Sequence, residues 1–185
     1  KEVSAKYKIE TTQTVLTNGV FIDPEKIVFF KRNSIRVSVS LWGTKDVHDF
    51  IRQPRNNRES FDIVVKNICE TYVSGVVCTV NHVITTQNAK YFKDFIELMW
   101  NVESTKFIGK NHGIEEPLPV YFAIHRPQED VKTRFLTEKY KIIEQGVVAG
   151  FSYIYELLNL GISLQPLVRF DYLDFTGVKL TTCGT

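Results

Sequence analysis

A chain of 185 residues that is 43% hydrophobic and 24% charged has apolar content for one well-filled core, which excludes disorder and argues against more than one full domain. Its 23 Lys and Arg against 21 Asp and Glu leave a net charge of +2, so nothing in the charge points to nucleic acid or an anionic membrane as the main partner. No apolar run approaches a membrane span, and three cysteines are too few, and odd in number, for a disulfide scaffold; reduced thiols and a cytoplasmic location are expected.

The start, "KEVSAKYKIE", is polar and lacks an initiator Met, which predicts a natural N-terminus further upstream. "QTVLTNG" predicts a strand closing in an Asn-Gly turn. Asp23 is then an N-cap, Pro24 the first helical residue, and the helix runs to about Asn33. "IRVSVSL" is the next strand, and a charged segment with a His48-Asp49 pair follows it. Ser60 is read as the cap of a second helix with Phe61, Val64, Val65, Ile68 and Tyr72 on one face, stopped by Gly75. "VVCTVNHVI" is a strand. A third helix after Asn88 carries Phe92, Phe95, Leu98, Met99 and Val102, and the stretch Ile108 to Pro119 is the least regular part. "VYFAIH" is a strand. Thr137 caps a long helix striped by Tyr140, Ile143, Val147, Phe151, Ile154 and Leu158, ended by Asn159 to Gly161. Gly146 and Gly150, one turn apart, mark close packing of that helix on a neighbour. "SLQPLVRF" is a last extended stretch.

Strands alternating with helices over short connections predict right-handed crossovers and a parallel sheet, open or curved into a partial barrel. Parallel strands covered on both faces are apolar throughout, and these are not. Val37, Val39 and Leu41 share one face of their strand; Ser38, Ser40 and Trp42 share the other. Cys78 and Val80 likewise oppose Thr79 and Asn81. Two polar faces pointing the same way line a ligand cavity, with Thr17, Asn18, Ser40 and Asn81 near the C-terminal strand ends, where such sheets bind ligands. The histidines, His48, His82, His112 and His125, have no helical metal-ligand spacing, which argues against a zinc site. Neither a nucleophile elbow nor a phosphate-binding glycine loop is present. Glu115 and Glu116 fall on a loop, and the roles of Asp171 and Asp174 stay open.

The order "VLTNG", "VSVSLWGTKDVHDFIRQ", "SFDIVVKNI", "VVCTVN", over about Thr14 to Asn88, resembles the middle of a radical S-adenosylmethionine enzyme. The branch it resembles carries a C-terminal SPASM or Twitch extension and includes anaerobic sulfatase-maturating enzymes and peptide maturases. Such enzymes show a strand ending in Thr-Asn-Gly, a strand close to Ser-Leu-Asp-Gly, a segment like Lys-Glu-Val-His-Asp-x-x-Arg, and a helix opened by an aromatic-Asp pair. "VRFDYLDFTGVKLTTCGT" is similar to the approach to the SPASM region, where a Cys-Gly pair ligates an auxiliary cluster.

The resemblance implies an α/β fold whose parallel sheet curves into a partial (β/α) barrel, here its later strand–helix units over residues 1–168, with a SPASM-like region beginning at 169–185. It implies S-adenosylmethionine and a [4Fe–4S] cluster that together yield a 5′-deoxyadenosyl radical, auxiliary [4Fe–4S] clusters, an electron donor, and a peptide or protein substrate. Ser40 takes the place of the hydroxyl that meets the cofactor, Thr17 and Asn18 stand at the Thr-Asn-Gly site, and Arg52 matches an Arg suited to a carboxylate. Thr79 and Asn81 join them as cofactor-side residues, and Cys183 is the cluster ligand. Trp42 departs from the family pattern, standing where Asp is usual. The Cys-x3-Cys-x2-Cys motif and the Gly-Gly-Glu turn are absent; in the family both precede the Thr-Asn-Gly strand, so the expectation is an internal piece of a longer enzyme, inactive alone, with the main cluster ligands upstream of Lys1. The rival reading is a degenerate, non-catalytic barrel that binds a partner peptide.

Overall fold

The computed structural model describes residues 7, 11–52, 59–124, 138–162 and 169–170. Five strands, β1 (Gln13–Thr17), β2 (Ile35–Ser40), β3 (Cys78–Ile84), β4 (Val120–Ile124) and β5 (Arg169–Phe170), form one sheet in the order β1-β2-β3-β4-β5, every pair parallel. Between them stand helices α1 (Pro24–Arg32), α2 (Lys45–Ile51), α3 (Phe61–Val73), α4 (Phe92–Trp100) and α5 (Glu138–Asn159). In a sheet whose strands follow chain order, right-handed crossovers all fall on one face. Burial follows that rule: Val37, Val39, Leu41, Cys78, Val80, Ile84, Val120 and Phe122 sit in one core with Phe30, Val64, Ile68, Phe92, Phe95 and Ile143 from the helices. The α/β fold with a parallel sheet is the one the residue pattern predicts.

Local chemistry sets most element ends. Asp23 caps α1 by accepting the Lys26 N–H, with Pro24 opening the helix. Gly75 and Gly161 take left-handed backbone just past α3 and α5. The helix after Asn88 begins with a 3-10 turn, Ala89–Tyr91, before α4. It leaves the helical path at Asn101, so Val102 packs on the core from outside the helix.

The buried stripe of α5 runs Ile143, Val147, Ile154 and Leu157, not Leu158, which is exposed. A helix of 3.6 residues per turn needs steps of three as well as four to keep one face inward, and the step after Ile154 is three. Gly146 and Gly150 do mark close packing. A Cβ at Gly146 would stand 2.2 Å from the Ala89 carbonyl oxygen, and one at Gly150 would stand 2.1 Å from Phe92 Cδ1.

Ser60 does not cap α3 with its side chain. Its backbone is in the helical region, and its hydroxyl faces His48 Nε2 at 3.2 Å. The cap comes from Asp49, whose Oδ1 accepts the N–H groups of both Ser60 and Phe61. The charged segment that holds Asp49 is the short helix α2, and its only buried residues are Val47 and His48. Thr137, Asp171, Asp174, Cys183 and His125 lie outside the described residues, as does nearly all of the region read as SPASM-like.

Candidate functional site

The face of the sheet away from the core is built by alternation. In register, Ser38 pairs with Thr79, and Ser40 pairs with Asn81. Asn81 in turn pairs with Tyr121, and Tyr121 with Arg169. Paired residues of a parallel sheet stand side by side on one face, so Ser40, Asn81 and Tyr121 form a polar row across three adjacent strands. The Arg169 backbone occupies the next register position. Ser40, Thr79, Asn81, Val83, Tyr121 and Ala123 are all half-buried, while their chain neighbours Val39 and Val80 are fully buried among the helices. The strand phase read from the serines therefore holds.

Ser40 ends β2, which puts the row toward the C-terminal end of that strand. Thr79 Oγ1 reaches the Val37 carbonyl at 3.5 Å. Among the described residues neither Ser40 nor Asn81 spends its side chain on a protein hydrogen bond. A hydroxyl and a carboxamide so placed offer donors and acceptors to a ligand on this face.

Just past β2 the chain is fixed tightly. The Trp42 N–H donates to His48 Nδ1 at 3.2 Å, which sets the tautomer: Nε2 carries the proton and donates to Ser60 Oγ. Burial holds the His48 pKa below the usual imidazole value, with the Asp49 carboxylate opposing the shift. The Trp42 carbonyl accepts from Asn88 Nδ2 at 3.0 Å, and the same amide nitrogen reaches the Val83 carbonyl at 2.8 Å. Asn88 Oδ1 accepts the Thr85 N–H at 2.7 Å. Asn88 thereby joins the ends of β2 and β3. Arg52, at the C-terminal end of α2, places its guanidinium carbon over the Trp42 ring, 5.0 Å from the centroid.

Two residues read as cofactor-side are occupied otherwise. Thr17 pairs with Val39, so it belongs to the helix-side row, and its Oγ1 accepts the Gly19 N–H at 3.1 Å. Asn18 is exposed, and its Oδ1 accepts the Val20 N–H at 3.2 Å. Both side chains close the turn between β1 and α1, which Asn67 of α3 clasps by donating to the Gly19 carbonyl at 2.8 Å. The structure thus brings together Ser40, Thr79 and Asn81, with Arg52 held at Trp42, and it adds Tyr121. In "VYFAI" that tyrosine reads as one more strand former, and only the register exposes it as the neighbour of Asn81.

Cys69 and Cys78 are buried free thiols, and burial pushes both up to about 12. A buried, protonated thiol is packing, not ligation. Among the described residues no group of three or more His, Cys, Asp and Glu side chains is placed to hold a metal, so these residues do not fit an iron–sulfur cluster. No helix among them is long and apolar enough to cross a membrane.

No protein-family model matches the chain. It is 38% identical over 60 residues to the cysteine-type anaerobic sulfatase-maturating enzyme of Clostridium novyi (strain NT), which is 32% of this chain and 16% of that protein. It is 29% identical over 104 residues to the serine-type anaerobic sulfatase-maturating enzyme of Bacteroides thetaiotaomicron, 55% of this chain and 25% of that one. The matches thus span a quarter or less of these relatives' length. Among solved structures, anSMEcpe with bound AdoMet superposes with a TM-score of 0.63 at 20% identity, covering 86% of this chain and 42% of that one. The same protein with bound AdoMet and Cp18Cys peptide gives 0.65 at 20%, covering 88% and 43%. This likeness shows the fold.

Proposed function

The chain is recognisably similar to anaerobic sulfatase-maturating enzymes, as its motifs indicate, and we propose from this that it forms the S-adenosylmethionine-binding part of a radical enzyme that modifies a peptide or protein. The observation that carries the reading is the Ser40–Asn81–Tyr121 row, polar and half-buried, on the sheet face turned away from the core, with Arg52 beside the end of β2. Ligands of parallel α/β folds sit at the C-terminal strand ends.

In this reading the Ser40 hydroxyl takes a polar group of the nucleoside, and Asn81 and Thr79 flank it on the next strand. Arg52 takes a carboxylate through its fork of N–H donors. Thr17 and Asn18 act one step away, by holding the β1 turn against the end of β2. S-adenosylmethionine, when bound with a [4Fe–4S] cluster, supplies hydrogen-atom abstraction; no described residue is assigned to that cluster, and Cys183 stays a proposed ligand. Apolar Val83 and Ala123 border the polar row on the same face and would pack against the ligand's apolar parts. The peptide substrate is carried over from the kind of enzyme resembled and from the peptide bound to anSMEcpe.

The test is equilibrium binding of S-adenosylmethionine to the intact protein. Saturable binding is expected, abolished by Ser40→Leu and weakened by Arg52→Gln. Binding indifferent to both substitutions would remove the site from this face of the sheet.

A further inference from the structure

Among the described residues Arg52 enters no ion pair. Three acids of this stretch have other partners: Lys45 pairs with both Glu59 and Asp62, and Asp49 Oδ1 caps α3. What Arg52 has instead is the face of an indole, at 5.0 Å. The indole is half-buried, on a backbone held from both sides. The Trp42 N–H is bound by His48 and its carbonyl by Asn88. Among the described residues its Nε1 is buried with no hydrogen-bond partner, an unsatisfied donor that accompanies this placement of the ring.

We propose that Trp42 is a positioning residue whose ring holds the Arg52 guanidinium at the mouth of the sheet, beside Ser40, ready for the carboxylate of a bound nucleoside amino acid. The inference rests on the S-adenosylmethionine reading above. Its physical basis is a difference between two ways of holding an arginine. A carboxylate partner occupies some of a guanidinium's N–H donors. A π-face attracts the positive charge and uses none of the five N–H donors. Stacking therefore restrains the side chain, which otherwise has much rotamer freedom to lose on binding, and leaves its hydrogen-bonding edge unspent. The arrangement trades one unsatisfied indole N–H for a preorganised anion fork.

The test compares two ligands on the intact protein by calorimetric titration: S-adenosylmethionine, and 5′-methylthioadenosine, which shares the nucleoside and has no carboxylate. Trp42→Leu is expected to weaken S-adenosylmethionine by roughly threefold to thirtyfold, with 5′-methylthioadenosine nearly unchanged. Trp42→Phe, which keeps an aromatic face, should recover most of the loss. In an Arg52→Gln background, Trp42→Leu should cost nothing further. Equal weakening of both ligands, or a loss that persists without Arg52, would overturn the inference while leaving the binding site in place. Should Trp42→Leu not fold, the cycle runs on Trp42→Met, which keeps bulk without an aromatic face, with Arg52→Gln, and absence of coupling there overturns it equally. If the unsubstituted protein binds neither ligand, the functional reading falls and this inference falls with it.

Discussion

Asp49 Oδ1 accepts two backbone N–H groups at once, from Ser60 at 2.9 Å and from Phe61 at 3.0 Å, and so caps a helix that begins twelve residues downstream of it. Among the described residues its Oδ2 is buried with no partner, a cost set against the two capping bonds. Asp49→Ala is expected to destabilise the protein by about 1–2 kcal/mol, the usual worth of a cap. Asp49→Asn keeps Oδ1 and should cost less. Urea midpoints of the two variants check the order; equal losses would show that charge, and not the cap, is what matters.

Gly146 and Gly150 permit α5 to lie against the Ala89–Tyr91 turn and Phe92. Gly146→Ala would gain about 1 kcal/mol of helix propensity on an isolated helix. Here its Cβ meets a backbone carbonyl that has no room to yield, so a net loss of roughly 1–3 kcal/mol is expected. Thermal unfolding measures it. A rise in midpoint would mean that α5 is free to slide outward.

His82 is fully buried, stacked on Phe95 at 3.8 Å between ring centroids, and donates through Nδ1 to the Leu41 carbonyl at 2.8 Å. Its Nε2 has no hydrogen-bond partner among the described residues. Burial lowers its pKa to about 4, although the Leu41 bond opposes the shift. The sign follows from proton counts. Between the ordinary value of about 6.5 and the folded value, the unfolded chain binds a proton and the folded one does not. Stability is therefore complete above that window and falls with pH inside it, by about 1.4 kcal/mol per pH unit at most. Denaturant titrations from pH 7 to pH 4.5 should show the decline, and His82→Gln should flatten it. An unchanged slope in the variant would assign the decline to other groups.

Ser40→Ala should weaken S-adenosylmethionine binding by the order of one hydrogen bond, roughly 0.5–1.5 kcal/mol, with little change in stability. A hydroxyl on the open face loses no packing when removed. Ser40→Leu should be worse for binding, because its bulk fills the space beside Asn81. Matching calorimetric and thermal data decide between this and a structural serine, which would lose stability in step with affinity.

The parts of this architecture that were legible in the chain are the periodic ones. Alternation of Ser38, Val39, Ser40 and Leu41 carried the phase of β2 correctly, steps of three and four placed α3 and α4, and Asp23 with Pro24 marked the start of α1. What escaped is what periodicity does not encode. The seven residues of α2 bury only Val47 and His48, too few to make a stripe. The Asp49 cap crosses between elements, whereas cap signals are read from adjacent residues, and Ser60 supplied a misleading one. Thr17 looked like a ligand-facing hydroxyl because it ends a strand; the turn behind it claimed the oxygen first. Tyr121 became visible only through the pairing of β3 with β4.

The strand order carries a consequence for how the protein is made. Each described strand from β2 onward hydrogen-bonds to the one synthesised just before it. A chain leaving the ribosome from its N-terminal end can therefore extend this sheet in the sequence of translation, with no described strand after β1 waiting for a later partner. Val37 and Val39 can be covered as soon as α3 and β3 emerge, while the mouth around Trp42 stays open until Asn88 arrives to tie it. Phe92, Phe95 and Ile143 of the core emerge only after Asn88, so these strand ends can be tied before the last helices cover the sheet.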